Sequence, residues 1–264
     1  MSLNAVRLLV PGAVAGIVSY AFSRVMIEPL IGAAVDYEGA REHAESQLAG
    51  GDHDHGHEVF TRAVQENVGA AVGVVVFGIV MGVLFAVAYS MIRTVLERRG
   101  ITPDPTGLAL VLSAGMFAAI VLAPSLKYPA NPPTVGLEAT IGGRSSSFLA
   151  ITVISVVGAC VAVAAGLAWS RRWGAWRATA LACGGYAAVM LCTMAVLPSF
   201  HEVPGPLSGS DGLVLGGFPA EVLAEFRLYS LVNQALMWMV IGVMSACVAA
   251  VPRMSNTSRA GQAR

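Results

Sequence analysis

The sequence predicts an all-α integral membrane protein with six transmembrane helices, and three observations carry that prediction. Hydrophobic residues make up 56% of the 264 and charged residues only 12%, against roughly 25% charged in soluble domains. Five charge-free apolar runs, and a sixth broken by one arginine, divide the chain, and a run of about 20 apolar residues is what the bilayer hydrocarbon requires. Charge is sorted between the loops: fourteen of the sixteen acidic residues and all five histidines fall in three of them.

The spans are expected at residues 8–27, 68–92, 107–126, 148–169, 178–200 and 228–251, within a membrane domain of residues 1–252 followed by a flexible tail, 253–264. The first run contains Arg24 near its end. It is long for a signal peptide and no clear A-x-A site follows, so it is expected to remain as a span. Gly12 and Gly16, Gly69 and Gly73, and Gly78 and Gly82 are small-xxx-small pairs, which in lipid let helix backbones approach closely. Cys160, Cys183, Cys192 and Cys247 all lie within spans and are read as small buried hydrophobes, not a disulfide or zinc framework.

Arginine and lysine set the orientation. Ten lie at the termini and in the second-to-third and fourth-to-fifth loops, and six on the opposite side. Both termini are therefore expected to be cytoplasmic, with the acidic loops facing outward. Formal net charge is zero, so lipid and not nucleic acid is the expected surrounding.

The outer loop 28–67 is the largest polar segment. Residues 34–48 have few helix breakers and are expected to form a short surface helix ended by Gly50 and Gly51. Asp52-His53-Asp54-His55-Gly56-His57-Glu58 follows. Imidazoles alternating with carboxylates on a flexible backbone suit a divalent metal, and short His-rich tracts are a metal-binding composition. Without thiolates or fixed ligand spacing the tract reads as a loose capture site and not a structural zinc site. No tightly bound cofactor is expected; Co2+, or alternatively Ni2+, would be transported or loosely held.

Two further outer loops resemble each other. Leu122-Ala-Pro-Ser-Leu-Lys-Tyr-Pro129 and Val196-Leu-Pro-Ser-Phe-His-Glu-Val-Pro204 both place Pro-Ser after an aliphatic run, and the first span closes with Glu28-Pro29. Descent of three related helical hairpins and convergence on a helix-stop signal would each produce this match. Proline frees helix carbonyls, and polar groups at membrane depth are functional candidates. Glu28, His201 and Glu202 are thus candidate ligands at an ion entry point, with Lys127 and Arg227 as partners for the carboxylates. Interfacial salt bridges that merely fix helix ends are the bland reading of the same residues.

Glu28-Pro29, the acidic and histidine-bearing loop, Leu126-Lys-Tyr-Pro-Ala-Asn-Pro-Pro133, His201-Glu-Val-Pro204 and Phe218-Pro-Ala-Glu-Val-Leu-Ala-Glu-Phe-Arg-Leu-Tyr-Ser230 together resemble the predicted cobalt transporter subunit CbtA family. The resemblance runs from the first span to the last. It implies a multi-pass bacterial inner-membrane protein that supplies cobalt for cobalamin synthesis, with a small single-span partner, CbtB, ending in a His-rich tail. Residues 205–217, rich in Gly and Ser, depart from the pattern as an insertion.

The chain has no P-loop, no H-E-x-x-H and no nucleophile elbow, so an enzyme is not expected. The alternatives kept beside cobalt transport are nickel transport and a non-transporting metal-binding scaffold or sensor.

Overall fold

A computed structural model describes residues 3–49, 69–210 and 212–250. Helix α1 (Leu3–Phe22) continues through a π-helical turn, Ser23–Ile27, into α2 (Glu28–Ala49). Helix α3 is Ala70–Arg98, and α4 (Pro105–Phe117) passes through a second π turn, Ala118–Leu122, into α5 (Ala123–Lys127). Then come α6 (Ile141–Trp173), α7 (Ala175–Val196), a hairpin of β1 (Leu207–Gly209) and β2 (Gly212–Leu215), and α8 (Ala220–Ala250). Six of the helical stretches are long and apolar enough to cross a membrane, as the sequence predicts.

The helix ends follow local chemistry. Asp104 caps α4, its carboxylate accepting from the Gly107 amide at 2.6 Å, with Pro105 at the first helical position, where its missing N–H costs nothing. Gly174, at φ 81°, separates α6 from α7. That left-handed backbone favours glycine, and so short a junction forces α6 and α7 to fold back on each other.

Two expectations change. The first span does not stop at Glu28-Pro29: the helix runs on through the proline, as it also does through Pro124 inside the third span, which closes at Lys127 beside the predicted 126. Each proline sits just beyond a π turn, in which the hydrogen-bond register widens by one residue and a missing amide proton is accommodated without breaking the helix. Only at Pro198 does the helix end, α7 closing at Val196. The expected short surface helix is accordingly the outer part of one continuous rod. From residue 3 to residue 49 that rod is roughly 70 Å long, far more than the hydrocarbon thickness. Its second half carries Asp36, Glu38, Arg41, Glu42, His43 and Glu45 and so stands clear of the membrane.

The second change concerns the cysteines. All four are free and exposed, lying on helix surfaces and not in the interior. For a helix bathed in lipid an outward apolar side chain carries no hydration cost, so burial is not selected there.

Helices α1, α3, α4 and α8 form the central bundle, α8 packing against both α1 and α4. Its core holds Ala15, Phe85, Ala109, Met237, Trp238 and Ile241. Between α1 and α3 the backbones interlock. A Cβ on Gly12 would lie 2.5 Å from the Gly78 carbonyl oxygen, and one on Gly82 would lie 2.6 Å from the Gly12 Cα. Two of the three small-residue pairs thus make the close contact, while Gly73 has open space beside it. The α6–α7 pair adjoins the bundle through the second π turn and α5, around Ala123, Ile151 and Met190. Helix α4 takes α8 as its main partner, and α7 takes α6.

Candidate functional site

The described parts of the three acidic loops meet at one end of the bundle and form a cap around α2. Apolar contacts seat it: Ala34 of α2 is buried with Val135, Phe218 and Leu223, and the Tyr37 and Phe218 rings pack edge-on at 5.1 Å. Tyr37 donates its hydroxyl to the Gly216 carbonyl at 3.1 Å and Arg41 donates to the Gly205 carbonyl at 2.9 Å. The insertion 205–217 therefore folds onto α2 instead of standing free.

The two similar loops are bound to each other. Lys127 donates to the Ser199 hydroxyl at 2.7 Å, Tyr128 donates to the Pro198 carbonyl at 2.7 Å, and the Tyr128 and Phe200 rings lie 6.0 Å apart. Arg227, projecting from α8, donates twice to the Asn131 side-chain oxygen, at 2.7 and 3.2 Å. The Lys-Tyr-Pro-Ala-Asn-Pro-Pro string is thus pinned by Lys127 and Tyr128 at one end and by Asn131 at the middle.

The candidate carboxylates have near neighbours of their own. Glu28 pairs with Arg24 one turn earlier, 3.9 Å away, and keeps 16% of its side-chain exposure. Glu202 accepts from the Leu137 amide at 2.9 Å and lies 3.3 Å from the Arg144 guanidinium. The Thr140 hydroxyl, the Leu137 amide and Arg144 hold its carboxyl below the ordinary carboxylate range, because each favours the charged form. Arg144 also donates to the Leu137 carbonyl at 3.3 Å, and Gly136, at φ 139°, brings its backbone so close that a Cβ there would collide with the guanidinium. Beside this clamp His201 is exposed.

Among the described residues, Lys127 and Arg227 make no ion pair; they engage a hydroxyl and an amide oxygen in place of the expected carboxylates. Nor do three or more His, Cys, Asp or Glu side chains gather among those residues where they could hold a metal ion. Glu28, His201 and Glu202 share the cap without forming one ligand shell. Asp52, His53, Asp54, His55, His57 and Glu58 lie outside the described residues.

Reasoning from the sequence missed Asn131, Arg144, Tyr37 and Arg41 as members of the cap. Asn131 lay within the most distinctive string, whereas Arg144 was one charge among six. It also missed a buried polar contact at membrane depth. Ser155, fully buried on α6, donates to the Ala119 carbonyl at 2.6 Å and lies 2.7 Å from the Tyr186 hydroxyl. Ala119 belongs to the second π turn and stands five residues before Pro124. Its carbonyl is the one that a proline in π register leaves without a donor, and Ser155 supplies the hydrogen.

Comparison with curated proteins and with solved structures returns no match. A family model described as "Probable cobalt transporter subunit (CbtA)" matches residues 5–250. The transporter-subunit family and the helical membrane fold point to a non-enzyme. With six spans, a polar cap over one end and nearly the whole chain inside the match, this protein belongs to the CbtA family of probable cobalt transporter subunits.

Proposed function

We propose that the protein moves cobalt across the bacterial inner membrane toward cobalamin synthesis, with both termini in the cytoplasm and the cap outside. The observation that carries this reading is the family match across residues 5–250. The cap adds a physical rationale, since it gathers α2, which bears His43, and the segments bearing His201 and Glu202 at one end of the spans. In this reading Asp52, His53, Asp54, His55, His57 and Glu58 form a loose antenna that raises the local ion concentration. His201, Glu202 and Glu28 then receive the ion at the helix ends. Glu202 is held by Arg144 and Thr140, so an arriving cation must compete with them, which couples ion binding to loosening of the 136–140 loop. A small single-span CbtB-like subunit is the expected partner. Nickel is the nearest competing cargo, because the two ions are neighbours in affinity for nitrogen and oxygen ligands.

The test is reconstitution of the full chain in liposomes, with and without the small partner, followed by accumulation of radioactive Co2+. Uptake above protein-free vesicles is expected in at least one case. Tight binding with no flux in either would replace the transport reading with that of a metal-binding scaffold.

A further inference from the structure

The tip of the α6–α7 hairpin reads Trp169-Ser-Arg-Arg-Trp-Gly-Ala-Trp-Arg177. It holds three of the chain's four tryptophans together with Arg171, Arg172 and Arg177. All six of these residues are exposed, Trp176 by 82%. Charge here is one-sided, since no Asp or Glu occurs between Glu138 and Glu202. The three guanidinium groups make no hydrogen bond or ion pair among the described residues. Arg93 of α3, by contrast, pairs with Glu97 at 2.7 Å.

The fold fixes where this tip stands. Helix α6 has 33 residues and so is about 50 Å long, against about 30 Å of hydrocarbon. Its first turns belong to the cap, where Arg144 faces Glu202. Residues 145–170 carry no charge, so the tip emerges at headgroup level on the face opposite the cap. Helix α6 meets the bundle through the second π turn and α5. Its buried residues, Ser147, Ile151 and Ser155, all lie in the cap-side half. Nearer the tip α6 and α7 close on small residues: a Cβ at Gly166 would meet the Ala182 Cβ at 3.5 Å. The Trp169 and Trp173 rings, one turn apart on α6, lie 5.5 Å from each other. Gly174 then reverses the chain, and Trp176 and Arg177 follow in the first turn of α7.

We propose that this tip is a docking surface for anionic phospholipid; the proposal stands on the membrane fold and not on the cargo. Tryptophan suits the boundary, its ring lying among acyl chains while its N–H reaches the headgroups. The arginine fork matches phosphate oxygens in a bidentate fashion. A zwitterionic headgroup offers the same phosphate but brings its own ammonium to three unpaired guanidinium groups. An anionic headgroup brings none, and the charge of the tip therefore selects it. A second copy of the chain would present the same positive tip and be repelled. Bound lipid steadies the half of the α6–α7 pair that contributes no buried residue of α6.

The experiment reconstitutes the full-length protein in phosphatidylcholine bilayers containing a fixed fraction of lipid brominated on its acyl chains. That lipid is either phosphatidylglycerol or phosphatidylcholine, and quenching of tryptophan fluorescence reports which one gathers at the tip. Trp238 is 1% exposed in the core, so the three tip residues dominate the quenchable signal. Brominated phosphatidylglycerol is expected to quench more strongly, with a relative affinity about tenfold higher, and the preference should shrink as salt is added. The triple variant Arg171→Gln, Arg172→Gln, Arg177→Gln should bring the preference close to unity while its elution profile stays that of the parent. If the triple variant does not fold, the single changes carry the same test, each expected to lose severalfold. Equal quenching of the parent by both lipids overturns the proposal. So does a preference that survives loss of the arginines. Quenching by neither lipid, with copies cross-linked through the tip, overturns it in favour of a protein interface.

Discussion

Glu202 is held by a hydroxyl, a backbone amide and a guanidinium, and the consequence is a stability that depends on acidity. Its carboxyl binds protons less readily in the folded protein than in the unfolded chain, so folding stability rises with pH. That contribution is complete above the ordinary value of 4.5 and is lost as pH falls through the lowered folded value. Between about pH 6 and about pH 3 the melting temperature of the parent should fall more steeply than that of Glu202→Gln, the two converging at the acid end. Parallel curves would show that the clamp contributes nothing to folding. The histidine tract belongs to the same scale. If it only concentrates ions, replacing His53, His55 and His57 with alanine should raise the Co2+ concentration for half-maximal uptake severalfold and leave the maximal rate unchanged. Complete loss at saturating Co2+ would place the tract on the transport path itself.

The two π turns are the informative elements. Each precedes a proline, at Pro29 and Pro124, and each carries its helix through that proline; at Pro29 the sequence predicts a stop, whereas the third span is expected to continue to about Leu126. The second turn is locked by Ser155 and Tyr186. Ser155→Ala should therefore leave the Ala119 carbonyl unsatisfied and cost about 0.6–2 kcal/mol, read as a lower unfolding midpoint in mild detergent; an unchanged midpoint would show that the turn needs no external donor. The α1–α3 seam tests packing in the same way. Leucine at Gly12 has no space against the Gly78 carbonyl, and overpacking of this kind costs about 1–3 kcal/mol or more. Gly73→Leu, at a position with open space beside it, should change little. Equal loss from both would deny the seam its role.

For the whole molecule, sidedness is the open physical question, and the ten-to-six bias of basic residues predicts its answer. Reporter fusions at Arg99 and at Gly51 should report opposite sides of the membrane, Arg99 cytoplasmic. The same side for both would refute the arrangement. The number of spans, their approximate positions and the grouping of the acidic loops were legible in the chain, because the hydrocarbon imposes a length and excludes charge from each segment separately. The glycine seam was half legible: spacing nominated three pairs, and only packing could say that Gly73 has nothing against it. What tertiary structure alone decided are the relations between segments distant in the chain. Among these are α4 against α8, Arg227 against Asn131, and Glu202 against Arg144. Partner choice in the membrane depends on shape and on single hydrogen bonds, not on hydrophobicity. One apolar helix reads much like another in sequence, and only the folded bundle shows which faces meet.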